Sequence, residues 1–242
     1  MDSVLTVECP REGVIQYSGR PGSALVTSSR VADLTARLAA VGEAAFGSYH
    51  WQRTRDPYLV FVAEYFLRRS NRTTVERFLP RFIERFPNAE SLVGTDPEVV
   101  VAEARWAGMR TRTMKLPAAV ASFLALEWPT VAALEQIPHV GPYAARAVAL
   151  YACGQSEFPV DGNVSRVLLR FLGLVDDDQL ELAARAIATE AEELGGCNTI
   201  KQVHFGALTV GWRTCRTRRR CGDCPLKPAC LGVRGIAIRE HP

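Results

Sequence analysis

Apolar residues recur at intervals of three and four along most of the chain, which is the spacing of amphipathic helices. In the first such stretch, from Arg30 to Phe46, the side chains Val31, Leu34 and Leu38 follow this spacing. Prolines and glycines separate the stretches, as expected for turns between helices. The pattern predicts an all-α fold with a loop over residues 51–57 and helices over 30–46, 58–67, 75–86, 97–106, 111–125, 130–136, 143–150, 164–172, 179–194 and 200–212.

The predicted helix at 58–67 is apolar around nearly its whole circumference, which indicates a buried helix. Glu64 is the one carboxylate in it. Because burial disfavours the charged form of a carboxyl group, we expect the pKa of Glu64 to be raised. An ion pair with Arg68, one helical turn later, is the ordinary alternative. The functional interpretation is a proton donor or water-positioning group that faces a pocket.

Two short loops each precede a predicted helix. The loop at 137–142 is a Pro/Gly hairpin, which leaves N–H groups in the first turn of the next helix free to hold a phosphate. The loop at 158–163 places Asp161 at the start of the helix 164–172. There Asp161 can serve simply as the N-cap. It is also suited to reaching a sugar beside a DNA backbone held by the hairpin.

The chain has 242 residues, of which 48% are hydrophobic, enough to bury a core in one domain or two closely packed lobes. Its net charge of +3 and its 29 clustered basic residues favour a nucleic-acid partner mildly. No apolar run approaches the roughly 18 residues that cross a membrane, and the start lacks the apolar region of a signal peptide. We therefore expect an intracellular protein, in which disulfides are disfavoured.

The cysteines need another explanation. Three are scattered, at positions 9, 153 and 197, and the other four follow the spacing C-x5-C-x2-C-x5-C as Cys215, Cys221, Cys224 and Cys230. Four thiolates so close together suit either a tetrahedral zinc ion or an iron–sulfur cluster. The loop between the first two, residues 216–220, is strongly basic, and is either a solvated surface run or a rigid phosphate contact.

The hairpin and the segment PVDGNVSRV at 159–167 resemble the helix-hairpin-helix DNA glycosylases, the superfamily of endonuclease III and of the adenine and thymine/guanine mismatch glycosylases. The segment RDPYLVFVAEYFLRRS at 55–70 is similar to the mismatch branch. The family hairpin has glycine where this chain has His139, a residue that tolerates left-handed backbone better than most. Bifunctional members have a lysine where this chain has Tyr143. Because a phenol cannot form an imine, the resemblance implies a monofunctional enzyme with little or no strand cleavage.

The resemblance also implies roles for individual residues. Asp161 would stabilise the sugar cation, Glu64 would assist with protons or water, and Tyr143 would shape the pocket or contact the sugar. Arg69 is nominated to fill the gap left by a flipped nucleotide, although an ordinary charged helix end is the alternative. The other implied DNA contacts are Arg68, Asn71, His139, Val140, Gly141, Arg218 and Arg219. The family carries a [4Fe–4S] cluster at the cysteine loop, with six residues in the first cysteine gap instead of the five found here.

The fold that the resemblance implies is a two-lobe, all-α glycosylase. We expect a six-helix barrel lobe with the helix-hairpin-helix at 56–152, an iron–sulfur cluster lobe from 30–55 and 153–242, and an N-terminal extension at 1–29. The adenine glycosylases carry a further C-terminal domain, for which we expect no counterpart. The expected partner is double-stranded DNA with a mismatched or damaged base, bound in the cleft by a monomer located in the cytoplasm with the nucleoid.

The implied function is base excision repair by hydrolytic removal of thymine or uracil mispaired with guanine. Excision of adenine or of a damaged base is the alternative within enzymes. A metal-stapled DNA-binding module that recognises lesions without cutting is the alternative outside them.

Overall fold

The computed structural model describes residues 27–54, 56–68 and 70–233. Within these ranges the chain is helical and contains no β-strand, so the all-α prediction is confirmed. The α-helices are α1 (Ser28–Glu43), α2 (His50–Arg53), α3 (Pro57–Leu67), α4 (Arg72–Arg85), α5 (Ala89–Val93), α6 (Pro97–Glu103), α7 (Arg110–Thr113), α8 (Leu116–Leu124), α9 (Val131–Glu135), α10 (Pro142–Tyr151), α11 (Gly162–Leu172) and α12 (Asp177–Arg213). None of the helices in these ranges is both long and apolar enough to cross a membrane.

Side-chain caps fix where the helices nearest the cleft begin. The carboxylate of Asp56 accepts the N–H of Tyr58 at 3.0 Å, and Pro57 occupies the first turn of α3. The side chain of Asn71 accepts the N–H of Thr74 at 2.8 Å and caps α4 in the same way. Helix α3 ends at Leu67 and α4 begins at Arg72, so Arg68 and Asn71 lie between a buried helix and the next one.

Two predicted boundaries were wrong for local reasons. The short helix α2 overlaps the first three residues of the predicted loop at 51–57. It forms because the side chain of Gln52 accepts the N–H of Tyr49 at 3.2 Å and so caps the start of the helix. The predicted helix at 111–125 is divided into α7 and α8. Pro117 lies in the first turn of α8, where its missing N–H costs nothing, and a proline in the interior of one long helix would break it.

Two further differences concern glycine. The predicted helix at 97–106 ends at Glu103 and continues as a 3-10 turn, Arg105–Ala107, before Gly108 takes the left-handed conformation with φ 67°. The predicted break after residue 194 is a kink of non-helical backbone at Gly195 and Gly196 inside α12. The local signals were correct here, and only their effect on the length of each helix was misjudged.

The buried apolar side chains form two clusters. The barrel cluster contains residues between Trp51 and Ala149, and the C-terminal cluster contains residues from α1, α11, α12 and the cysteine loop together with Val60. Helix α10 contributes to both, so it forms a wall shared by the two clusters. In the C-terminal cluster α1 packs along α12, with Gly42 and Gly206 at the contact.

Candidate active site

A cleft lined by members of both clusters contains the predicted catalytic residues. Its empty volume is about 1050 Å³, counting its open mouth. Glu64, Tyr143 and Asp161, which are widely separated along the chain, all line it. Arg68 and Asn71 also line it. The remaining lining residues are Trp51, Gln52, Leu67, Ser70, Arg72, Tyr151, Asn163, Phe205, Leu208 and Trp212.

Asp161 is held by hydrogen bonds at the N-terminus of α11. One carboxylate oxygen accepts the N–H of Asn163 at 2.9 Å and the N–H of Val164 at 2.8 Å. The other oxygen accepts the side-chain N–H of Asn163 at 2.8 Å. Asp161 is therefore both the N-cap and part of the cleft wall, and the three donors fix the direction of its carboxylate.

Glu64 is almost fully buried, with 3% of its surface exposed. Burial, and then the nearby charge of Asp161, raises its pKa to about 8. The oxygen Oε2 is buried and has no hydrogen-bond partner among the described residues. The predicted alternative, an ion pair with Arg68, is absent from the described part of the chain, because Arg68 donates to the carbonyl oxygen of His139 at 3.1 Å. Glu64 thus carries a proton at neutral pH at the edge of the cleft.

Three titratable side chains near Glu64 and Asp161, namely Tyr143, Tyr151 and His204, are neutral at neutral pH. Burial, followed by the charges of Glu64 and Asp161, raises the pKa of Tyr143 well above 10. The hydroxyl of Tyr151 shares a hydrogen bond of 2.7 Å with Nδ1 of His204, which is fully buried on α12. Burial lowers the pKa of His204 to about 4, so its imidazole is uncharged. None of these three side chains therefore contributes a charge to the cleft at neutral pH.

The hairpin contains a histidine in the left-handed conformation, with φ 70° at His139. Its carbonyl oxygen accepts N–H groups from both Arg68, at 3.1 Å, and Arg112, at 3.0 Å. These two donors hold a turn for which the family uses glycine. Gly141 is the N-cap of α10 and has no side-chain cap, so N–H groups of the first turn of α10 have no capping side chain within the described residues.

The remaining predicted DNA contacts differ in their surroundings. Asn71 is exposed at the start of α4, and Arg218 is exposed in the cysteine loop. Arg219 is also exposed, and it donates to the carbonyl oxygen of Gly232 at 3.0 Å. Val140 is buried, and its N–H donates to the carbonyl oxygen of Ile137 at 3.0 Å within the hairpin. Arg69, which was nominated to fill the gap of a flipped nucleotide, lies outside the described residues.

Sequence reasoning missed several residues of the cleft wall. The guanidinium of Arg72 lies against the ring of Trp212, and the rings of Tyr49 and Trp51 are stacked with their centroids 4.9 Å apart. Gln52 completes this wall. The basic run could have indicated Arg72. The aromatic residues and Gln52 carry no local signal, because they meet only when α2, α4 and α12 pack together.

A second, smaller cavity, with an empty volume of about 340 Å³, is lined by the whole predicted ligand set: Cys215, Cys221, Cys224 and Cys230. All of these thiols are free. Arg170 approaches the sulfur of Cys215 at 3.6 Å, and backbone N–H groups of Gly232 and Val233 partly offset the rise that burial causes in the pKa of Cys230. Donors directed at sulfur are the surroundings that a thiolate requires. Among the described residues, no group of three or more His, Cys, Asp and Glu side chains is arranged so that it could hold a metal ion.

Arg166 connects the cysteine loop to the cleft. Its Nε donates to the carbonyl oxygen of Cys215 at 2.6 Å, and its Nη2 donates to the side-chain oxygen of Asn163 at 2.8 Å. Asn163 in turn donates to Asp161. The side chains of Arg166 and Asn163 thus connect the backbone of Cys215 to the carboxylate of Asp161.

Known proteins resemble this chain along most of its length. No protein-family model matches it. A thymine-DNA glycosylase of Aeropyrum pernix is 27% identical over 194 residues, which are 75% of this chain and 85% of the relative. A thymine/uracil-DNA glycosylase of Pyrobaculum aerophilum is 30% identical over 189 residues, which are 73% of this chain and 80% of the relative. Human adenine DNA glycosylase is 30% identical over 184 residues, but this stretch is only 33% of that protein.

Solved structures show the same fold. A thermostable thymine-DNA glycosylase superposes with a TM-score of 0.73 at 19% identity, over 85% of this chain and 98% of that one. An endonuclease III in a non-covalent DNA complex superposes with a TM-score of 0.67 at 19% identity, over 86% and 98%. The fold is therefore that of the helix-hairpin-helix glycosylases. With the relatives above, the chain belongs to the thymine-DNA glycosylase branch of the helix-hairpin-helix DNA glycosylases, enzymes that hydrolyse N-glycosidic bonds.

Proposed function

We propose that this enzyme removes thymine or uracil paired with guanine in double-stranded DNA, by hydrolysis and without cutting the strand. The observation that carries this proposal is the buried carboxyl group of Glu64 in the same cleft as the hydrogen-bonded carboxylate of Asp161, and burial raises the pKa of Glu64 to about 8. Tyr143 at the position of the imine-forming lysine supports hydrolysis without strand cleavage. The printed names of the two archaeal relatives support thymine and uracil as the released bases.

The two acidic residues have separate tasks in this mechanism. The bond between C1′ of the sugar and the base nitrogen breaks, and its electron pair leaves with the base. Glu64 supplies the proton that neutralises the departing base, and the carboxylate of Asp161 stabilises the cationic sugar. Water then adds to C1′, and its proton passes to the Glu64 carboxylate, which restores the starting state. Tyr143, which remains a neutral phenol, shapes the pocket next to the sugar.

The DNA lies across the hairpin in this proposal. Backbone N–H groups at His139, at Gly141 and in the uncapped first turn of α10 hold a phosphate, while the N–H of Val140 donates to the carbonyl oxygen of Ile137 at 3.0 Å and shapes the hairpin. Arg68 and Asn71 form the rim of the cleft, and Arg218 and Arg219 of the cysteine loop contact the backbone of the DNA. That Arg69 fills the vacated position stays a prediction. So do the monomeric state, the lobe boundaries at 56–152 and at 30–55 with 153–242, and a cytoplasmic location with the nucleoid, where the substrate DNA would be found.

Base release from a panel of duplexes tests the function. Oligonucleotides carrying T·G, U·G, A·G and A·8-oxoguanine pairs are incubated with excess enzyme and developed with and without alkali. We expect breakage at T·G and U·G, and only after alkali. Breakage at the adenine pairs instead would favour the adenine alternative. Tight binding without release from any duplex would favour the non-catalytic alternative.

We also propose that Cys215, Cys221, Cys224 and Cys230 hold a [4Fe–4S] cluster. The four free thiols line one cavity and Arg170 approaches the sulfur of Cys215 at 3.6 Å, which are surroundings that suit the thiolate ligands of an iron–sulfur cluster. When bound, the cluster supplies structural cross-linking of the basic loop, since hydrolysis of an N-glycosidic bond needs no redox step.

The cluster makes a spectroscopic prediction. Protein purified without oxygen should be yellow-brown, with thiolate-to-iron absorbance near about 400 nm and equal iron and sulfide contents. Cys224→Ser should lose most of this absorbance, whereas Cys153→Ser, a cysteine outside the cavity, should keep it. A colourless protein that contains zinc would contradict the proposal.

A further inference from the structure

Gln52 occupies an unusual position in the wall of the cleft. It belongs to α2 and is 8% exposed. Its side-chain oxygen accepts two backbone N–H groups, from Gly47 at 3.1 Å and from Tyr49 at 3.2 Å. Turning the amide over would place its NH2 group against both donors and lose both hydrogen bonds. The orientation of the carboxamide is therefore fixed by the backbone of residues 47–49.

This orientation directs the two N–H groups of Gln52 away from the backbone. Gln52 lines the cleft, and no acceptor from the described residues meets its Nε2. Nε2 is also absent from the buried polar atoms that lack partners in the described ranges. The amide nitrogen consequently faces the open volume of the cleft. Trp51, which precedes Gln52 and also lines the cleft, is stacked on the ring of Tyr49.

We infer that Gln52 determines which base is accepted, by donating a hydrogen bond from Nε2 to a carbonyl oxygen of the flipped pyrimidine. The inference rests on the proposed function and adds a residue to it. Thymine and uracil each carry two exocyclic carbonyl oxygens, whereas adenine carries ring-nitrogen acceptors and an exocyclic amino group that is itself a donor. A donor fixed opposite an exocyclic position of the flipped base pairs with a carbonyl oxygen there and meets the amino group of adenine as a second donor, which favours thymine and uracil.

A double-mutant cycle, in which one change is made in the protein and the other in the substrate base, tests the hydrogen bond between Gln52 and the base. Single-turnover release is measured from duplexes with thymine, 2-thiothymine or 4-thiothymine opposite guanine, with the wild-type enzyme and with Gln52→Ala. Sulfur is a weaker acceptor than oxygen, so replacing the contacted oxygen removes the same hydrogen bond as removing Gln52. We expect one of the two sulfur substitutions to slow the wild type by roughly tenfold more than it slows Gln52→Ala. Because the comparison is a ratio, the altered reactivity of each thiobase cancels.

A second variant guards against a local structural change. Gln52→Glu keeps an oxygen for Gly47 and Tyr49 but removes the donors, and we expect it to lose the same sulfur effect as Gln52→Ala. Binding to a duplex with a tetrahydrofuran abasic site, which has no base to contact, should be unchanged in both variants. Equal sulfur effects in all three proteins at both positions would overturn the inference while leaving the proposed function intact. A wild type that releases neither thymine nor uracil would overturn both.

Discussion

Asp161→Asn is expected to slow base release by about a thousandfold, while affinity for mismatched DNA changes by less than about twofold. Asparagine caps a helix as well as aspartate does, so α11 should keep its start. The substitution removes the negative charge that stabilises the sugar cation, together with the hydrogen bond that the second carboxylate oxygen accepts from the side chain of Asn163. Single-turnover release from a U·G duplex and binding to the same duplex measure the two effects.

Asp176→Asn is the matched control for this experiment. Asp176 is the N-cap of α12, accepts the N–H of Gln179 at 2.8 Å, and lies outside the cleft. Its replacement should change thermal stability about as much as Asp161→Asn does, with full activity retained. A fully active Asp161→Asn enzyme would remove the carboxylate from the mechanism.

Glu64→Gln is expected to slow release by roughly a hundredfold or more, the usual contribution of a positioned proton donor. Because the pKa of Glu64 is raised to about 8, wild-type activity should be level at neutral pH and fall as the pH rises through about 8. The variant has no proton to lose at this position. Its residual rate should lack that fall, which single-turnover rates across the pH range would reveal.

The carboxyl group of Glu64 also makes the free energy of unfolding depend on pH. The pKa of the Glu64 carboxyl group is 4.5 in the unfolded chain and about 8 in the folded one. Between these values the folded state binds more protons, so the free energy of unfolding decreases as the pH rises, and it levels off above about 8. Glu64→Gln removes this decrease.

Melting temperatures at about pH 5 and about pH 9 measure the effect. The difference between Glu64→Gln and the wild type should move in favour of the variant at the higher pH. Glu84→Gln, an exposed carboxylate on α4, serves as the control and should show no such change. Parallel pH dependences in Glu64→Gln and the wild type would contradict a raised pKa.

The sequence predicted what depends on a few neighbouring residues. The apolar surroundings of Glu64 within its own helix indicated its burial, and the position of Asp161 before α11 indicated the cap. Gln52, Tyr151 and Trp212 could not be found this way. They come from three helices that are far apart in the chain, and nothing near any of them in the sequence specifies the cleft that they share.

The backbone conformation of His139 could be predicted from the sequence, but the residues that stabilise it could not. Its tolerance of left-handed backbone was predictable, and φ 70° agrees with it. The two guanidinium groups that hold its carbonyl oxygen come from Arg68 and Arg112, on other segments of the chain. Those two partners could not be inferred from the sequence of the hairpin. Their hydrogen bonds stabilise a left-handed turn that glycine would adopt without strain.

The contact between α1 and α12 limits how this enzyme can change. A methyl group added at Gly42 would collide with the carbonyl of Gln202, and one added at Gly206 would collide with the carbonyl of Leu38. Any side chain at either position must push the two helices apart, and Phe205, next to Gly206, forms part of the cleft wall. Two residues outside the cleft therefore constrain its shape. Glycine is therefore required at both positions for as long as the two helices keep their present separation.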